Sequence, residues 1–235
     1  MTDVLAKIEY NGLKINLNTL EQIREEYETE MHELEMRLDS LARDAMGDTP
    51  INLASPDDRS MLLYSRKVAD KTLWSQVFNL GHEVRGSTRK PKMRTRMRAK
   101  DFKENVRGLT RVVYKTEGQR CPDCNGEGRF HPLRKDGTLS KAVRVCRTCK
   151  GAGVLYRSTG EVAGFKLVPR NPMDVASAGF KTDKVTLEER APELDGAARD
   201  FAESYVRYNA LRTYLSTFVE GMQNNVDENG FIHPE

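Results

Sequence analysis

NTLEQIREEYETEMHELEMRLDSLARDAMG, residues 18–47, places apolar side chains at Leu20, Ile23, Tyr27, Met31, Leu34, Leu38, Leu41 and Ala45. Every step is three or four residues, the stripe of an amphipathic α-helix. Asn18 with Glu21 three positions on predicts the N-cap, and Gly47 predicts the stop. From 19 to 48, ten acids (Glu21, Glu25, Glu26, Glu28, Glu30, Glu33, Glu35, Asp39, Asp44, Asp48) face three bases (Arg24, Arg37, Arg43). That excess reads as the solvated face of the helix.

A second long helix is expected near the other end, over about 197–222. Its stripe is Phe201, Tyr205, Tyr208, Leu211, Leu215, Phe218, Val219 and Met222. Two such helices can pair as an antiparallel hairpin with everything between them at the far tip. After the first comes Ile51-Asn52-Leu53-Ala54-Ser55-Pro56-Asp57-Asp58. Ser55 as N-cap, Pro56 at the first helical position and two acids in the first turn predict a helix start. Met61, Leu62, Leu73, Trp74, Val77 and Phe78 supply one or two short helices ending near Gly81. The expected fold class is therefore mainly α: an antiparallel long-helix hairpin with short tip helices and a small zinc-ribbon insertion.

The middle, about 82–178, is basic, richer in Gly and Pro, and weakly periodic. Arg111-Val112-Val113-Tyr114 and Val143-Arg144-Val145 suggest short strands. Net charge over the 235 residues is only +3, but residues 85–120 hold thirteen bases against three acids. Such a block suits a polyanion, because neutralised phosphates release counterions; a solvated surface loop is the alternative.

The cysteines are the sharpest chemical signal. Cys121-Pro122-Asp123-Cys124-Asn125-Gly126-Glu127-Gly128 is echoed by Cys146-Arg147-Thr148-Cys149-Lys150-Gly151-Ala152-Gly153. This is C-x-x-C-x-G-x-G twice, and two such turns can complete a tetrahedron of sulfurs around one zinc ion. The glycines allow the positive φ that aims sulfurs inward. Cys121, Cys124, Cys146 and Cys149 are the expected ligands of one structural Zn2+, with His131 a bystander; a redox pair or two disulfides are the alternatives. Mean hydropathy is −0.65, and no apolar run is long enough for a membrane span. The first residues lack an apolar signal core, which points to the cytoplasm.

The cysteine and glycine spacing resembles the zinc module of J-domain chaperones over about 33 residues. The J-domain signature His-Pro-Asp does not occur.

The outer segments, about 1–80 and 179–235, resemble the thumb of family A DNA polymerases, including phage-type members. Tyr10-Asn11-Gly12-Leu13-Lys14-Ile15-Asn16 looks like the turn that opens the polymerase region, and Ile51 to Pro56 like the Asn-x-Asn/Ser-Ser-Pro element at the thumb tip. Gly179-Phe180-Lys181-Thr182-Asp183-Lys184-Val185-Thr186-Leu187 is similar to a Gly-x-x-Ser-Thr-rich element. Ser216-Thr217-Phe218-Val219-Glu220-Gly221 is similar to a Ser-Thr-Tyr-x-Asp segment. Asn229-Gly230-Phe231-Ile232-His233 looks like the Asp-Gly-x-Ile-His strand leading to the palm. One departure stands at Asp58-Arg59, where the family has Gln-Leu.

The resemblance implies three segments: 1–81 as the first part of the thumb, 82–178 as a basic zinc-ribbon insertion with knuckles at 121–153, and 179–235 as the second part. It implies double-stranded primer–template DNA as partner, with Asn52, Ser55, Lys181, Thr182, Arg212, Thr213, Ser216 and Thr217 facing phosphates without reading sequence. Arg94, Arg96 and Arg98 of the basic arm would extend the grip and the residence on DNA. Catalysis, its Mg2+ and its carboxylates would lie in a palm and fingers carried by a separate chain or by further sequence, and no catalytic residue is assigned here. A phage origin would place the protein in the host cytoplasm. The competing expectations are a stand-alone zinc-ribbon protein that binds nucleic acid or regulates, and a chaperone-like zinc module.

Overall fold

The computed structural model describes residues 12–80, 97–135 and 137–233. About half of the described chain is helical. In chain order the helices are α1 (Leu17–Met46), α2 (Pro56–Tyr64), α3 (Lys71–Val77), α4 (Ala99–Leu109), α5 (Lys184–Arg190), α6 (Gly196–Thr213) and α7 (Glu220–Asn225), with a π-helical segment Tyr214–Val219 before α7. The strands pair antiparallel in twos: β1 (Leu13–Lys14) with β10 (Phe231–Ile232), β2 (Arg66–Val68) with β3 (Thr110–Val112), β4 (Tyr114–Arg120) with β7 (Val154–Val162), β5 (Arg129–Phe130) with β6 (Arg144–Val145), and β8 (Val175–Ala176) with β9 (Gly179–Phe180). Among the described residues no helix is long and apolar enough to cross a membrane.

Two compact units form. One comprises Met1–Leu41 and Asp183–Glu235, the other Ala42–Thr182. The second therefore begins within α1 and takes in α2 and α3.

In the first unit α1 starts two residues earlier than Asn18 as cap implies. Asn16 is the cap: its Oδ1 accepts from the N–H of Asn18 (3.1 Å) and of Thr19 (3.2 Å). The β1–β10 pairing and the bond from Ile15 N–H to the Gly230 carbonyl (2.8 Å) hold the chain extended up to Asn16, so that side chain meets the open donors first. Leu20 packs with Leu215 and Val219, flanked by Ile15, Tyr27, Met31 and Met222.

Polar pairs tie α1 to α6, and the segment around Gln223, in opposite numerical order. Glu21 accepts from Gln223 (3.0 Å), Glu30 takes both nitrogens of Arg207 (2.6 Å each), Glu35 accepts from Tyr208 (2.8 Å), and Asp200 meets Arg37 (2.7 Å). Part of the acidic block is thus paired, Glu28 meets Arg24 on the same helix (2.9 Å), and Glu25, Glu26 and Glu33 stay exposed as expected. The Arg207 hydrogen bonds hold the Glu30 carboxyl below the usual carboxylate range. Burial, then the Glu35 contact, pushes the Tyr208 hydroxyl up.

The expected stripe of the last helix needs one correction. Phe218 is 50% exposed, because the π segment widens the turn and keeps Leu211, Leu215 and Val219, each four apart, on the buried side. Tyr214 and Phe218 stand beside one another outside, centroids 5.9 Å apart.

The second unit has an aromatic core. Trp74, Phe78, Phe102 and Phe180 are each at most 2% exposed. Tyr64 stacks on Phe180 at 4.5 Å, and Trp74 meets Phe78 at 4.6 Å and Phe180 at 5.5 Å edge-on. Asp70 caps α3 through Thr72 and Leu73, and Ser55 caps α2 with Pro56 first in the helix, as expected. Helix α4 lies inside the basic block, where the sequence suggested no helix. It buries only Phe102 and Val106, one turn apart, so its cations conceal the period. Gly47 ends α1 at φ +76°, where a Cβ would stand 2.3 Å from the Thr116 carbonyl oxygen.

Candidate metal centre and the expected DNA-facing residues

Strands β4 and β7 run as a ladder from Tyr114↔Val162 to Arg120↔Val154 and end at the cysteines. Each C-x-x-C-x-G-x-G stretch turns back on itself through left-handed residues, Asn125 and Gly126 in the first and Lys150 and Gly151 in the second. The two turns are stitched reciprocally. Cys121 N–H donates to the Gly153 carbonyl (2.9 Å), and Cys146 N–H donates to the Gly128 carbonyl (2.8 Å). Gly128 N–H points at Cys124 Sγ and Gly153 N–H at Cys149 Sγ, both at 3.3 Å.

The four sulfurs lie within 4.8 Å of one another and are buried. Cys121 and Cys146 are 3.8 Å apart, Cys124 and Cys149 3.6 Å. A tetrahedron with metal–sulfur arms of about 2.3 Å has edges of about 3.8 Å, so the spacing suits one ion held by four thiolates. All four cysteines are free, and the separations far exceed a disulfide bond of about 2.05 Å. The centre could therefore hold one structural metal ion, since four thiolates leave no position for substrate or water.

His131 bonds the Ser140 carbonyl (2.9 Å) and stays outside the cluster. Burial pushes the Cys124 thiol up to about 11. Burial also acts against the Cys149 thiolate, but the N–H groups of Gly153 and Gly151 together with the neighbouring Cys124 and Cys146 thiols bring that thiol down to about 7. The same N–H groups are what a metal-bound thiolate needs around it.

The second glycine of each knuckle has no room for a side chain. A Cβ on Gly128 would meet the Gly151 oxygen at 2.2 Å, and one on Gly153 the Gly126 oxygen at 2.3 Å, both at positive φ. Gly153→Ala is expected to destabilise the knuckle by about 1–3 kcal/mol and to weaken metal affinity by about tenfold or more. Competition with a chromophoric chelator measures the change, and an unaltered affinity would contradict the stitched geometry.

The residues expected to face DNA fall into three groups. Asn52 and Ser55 meet at the start of α2 in local bonds. Ser55 Oγ accepts from Asp58 N–H (3.4 Å), Asn52 Oδ1 accepts from Ala54 N–H (2.9 Å), and Asn52 N–H donates to Asp58 Oδ2 (2.9 Å). The sequence reading missed this role of Asp58, because its partner Asn52 lies in the loop before the helix and no local helix-start pattern pairs the two.

Lys181 and Thr182 do not start a helix; Asp183 caps α5 by accepting from Thr186 N–H. Thr182 is buried, its hydroxyl accepting from Arg59 (3.2 Å), and the Lys181 carbonyl accepts from Tyr64 (3.1 Å). Arg59 also reaches the Leu53 carbonyl (2.7 Å), so this side chain ties the loop before α2 to Thr182.

Arg212, Thr213, Ser216 and Thr217 are all exposed along α6 and the π segment. Thr213 and Ser216 return their hydroxyl protons to the carbonyls four residues back, at 2.9 and 2.8 Å. Arg98 immediately precedes α4, and Arg94 and Arg96 lie outside the described residues.

No protein-family model, curated protein or solved structure matches this chain.

Proposed function

We propose that this chain is the primer–template-gripping portion of a family A DNA polymerase, a thumb built on an antiparallel helical hairpin and carrying a zinc-ribbon module. The observation that carries the reading is the opposed pairing of α1 with α6 and the segment around Gln223, from Glu21–Gln223 to Arg37–Asp200. That pairing leaves Arg212, Thr213, Ser216 and Thr217 exposed on one strip. Arg212 and Thr217 suit phosphate contact without base readout, and Thr213 and Ser216 would join them by turning their hydroxyl protons from the helix carbonyls to a phosphate oxygen. The order of the polymerase-like motifs along the chain supports the same reading, and catalysis would belong to a palm and fingers acting with it.

Zinc is the metal that four thiolates in this geometry fit best. Its module would lengthen contact with DNA through the surrounding cations. Lys67 and Arg111 sit directly opposite each other on β2 and β3, both exposed. Like charges so placed repel unless an anion lies over them.

The reading is tested by anisotropy of a labelled primer–template duplex across a salt series. Arg212→Ala is expected to lower the salt slope by about 0.9. Ser216→Ala with Thr217→Ala is expected to weaken binding by about 1–3 kcal/mol. Affinity and slope equal to those of the parent chain in both variants would reject the thumb assignment. Replacing residues 121–153 by a short turn between the paired ends Arg120 and Val154 removes the knuckles and keeps α4, β4 and β7, and is expected to shorten the products made per binding event when palm and fingers are supplied.

A further inference from the structure

A cavity of about 380 Å3 opens in the second unit between α4, β2, β3 and the chain after β7. This is the small end of the roughly 300–1,000 Å3 of ligand pockets. Its apolar lining comes from Phe102, Val106, Val112, Leu167, Val168 and Pro169. Val168 is 69% exposed, so apolar surface faces solvent there. Arg66, Lys103, Arg107 and Lys166 supply the charge, and no acidic side chain lines the cavity. Lys103 and Arg107 are exposed one helical turn apart, on the strip beside the buried pair Phe102 and Val106. Arg66 is held by a bond to Thr110 Oγ1 (2.9 Å).

An aliphatic floor with an all-cationic rim calls for a ligand that is both apolar and anionic. Nucleic acid fits the rim but not the floor. Single strands need open aromatic faces for stacking, and Phe102 and Tyr64 are each only 2% exposed. Duplex backbones bring phosphates but nothing to place among valines. A peptide with carboxylates around an aliphatic side chain satisfies both halves.

We propose that this cavity docks an acidic peptide segment of a partner protein. Its carboxylates lie on Lys103, Arg107 and Lys166, and an aliphatic side chain enters between Val112, Leu167 and Val168. The site is separate from the DNA-gripping role and stands or falls independently of it.

The test is fluorescence polarisation of the full chain, metal-loaded, with a labelled peptide of Glu residues flanking two Leu residues. A dissociation constant on the order of 10–100 μM is expected. A peptide of Glu and Ser alone, and one of Lys around the same Leu residues, are each expected to bind at least about tenfold more weakly. Val168→Asp, and separately Lys103→Glu with Arg107→Glu, are expected to weaken binding by about tenfold or more while the circular dichroism stays unchanged. These side chains are exposed, so their substitution is expected to leave the fold intact. Lys135→Glu, outside the cavity, should leave binding unaltered. Equal binding of the Leu-free peptide, indifference to either variant, or displacement of the bound peptide by duplex DNA at its own binding concentration would overturn the proposal.

Discussion

Removing the metal from the four-cysteine centre is expected to unfold the segment around residues 121–153 while the helices of the first unit persist. The reason is what surrounds the sulfurs. The buried cluster there consists of the four cysteines, with Leu155 packed against it. The other large apolar side chains nearby lie open to water: Leu133 is 72% exposed, Leu139 65%, Val143 56% and Val145 53%. With so little apolar area to bury, metal–thiolate bonds, which would supply on the order of 10 kcal/mol, are the expected source of the folding free energy of the knuckles. Cys146→Ala should act like the chelator. Hydrogen exchange is the direct readout: amides at Cys121, Gly128, Cys146 and Gly153 lose protection, and those of α1 and α6 keep theirs. Retained protection at Cys121 and Cys146 after chelation would show that the knuckles stand without metal.

The pH dependence has a definite sign. Metal competes with protons for sulfur, and in the metal-free site the Cys124 thiol lies at about 11 and the Cys149 thiol at about 7. At neutral pH binding therefore displaces protons, and affinity rises with pH through that region. The metal is lost as pH falls. Cobalt substitution gives a visible readout, because tetrahedral Co(II)–thiolate centres absorb intensely. Constant occupancy on acidification would contradict thiolate ligation.

Trp74→Ala is the second change with a large expected effect. The indole is fully buried, touches Phe78 and Phe180 edge-on, and donates from Nε1 to the Ala176 carbonyl at 2.9 Å. Its removal opens a cavity and leaves that carbonyl without its partner, costing about 3–5 kcal/mol. Phe180→Ala should cost a similar amount, since the buried Phe180 ring stacks on Tyr64 and meets Trp74 edge-on, and its removal opens a cavity there. Trp74 is the only tryptophan, so its fluorescence follows unfolding of this unit in the parent and in Phe180→Ala. Circular dichroism in denaturant serves for Trp74→Ala. A loss below about 1 kcal/mol in both variants would mean the aromatic cluster is not the core of the unit.

The parts of the fold that were legible in the sequence are those with a local physical signal. The three-and-four spacing from Leu20 to Ala45 and Gly47 marked α1 and its end, and Ser55-Pro56 marked the start of α2. Cys-x-x-C-x-G-x-G, read twice, brought four sulfurs together correctly. What escaped depended on contacts distant in sequence. Asn16 replaced Asn18 as cap because β10 pins the chain before it. Helix α4 was hidden because two buried residues, Phe102 and Val106, are too few to outline a stripe among so many cations. The π segment left only the faint trace of two consecutive four-residue steps, Leu211 to Leu215 to Val219, and its consequence was the outward turn of Phe218. Thr182 looked like a hydroxyl available to phosphate. Only its bond to Arg59, far away in sequence, shows it to be internal.

The proposed grip on duplex DNA is tested most directly by equilibrium binding of the metal-loaded chain to a labelled primer–template, measured from low to moderate salt beside a single strand of the same sequence. The account predicts sequence-independent binding that favours the duplex, with log affinity falling linearly in log salt by about 0.9 for each phosphate contacted. No preference for duplex over single strand, or an affinity that does not respond to salt, would contradict it.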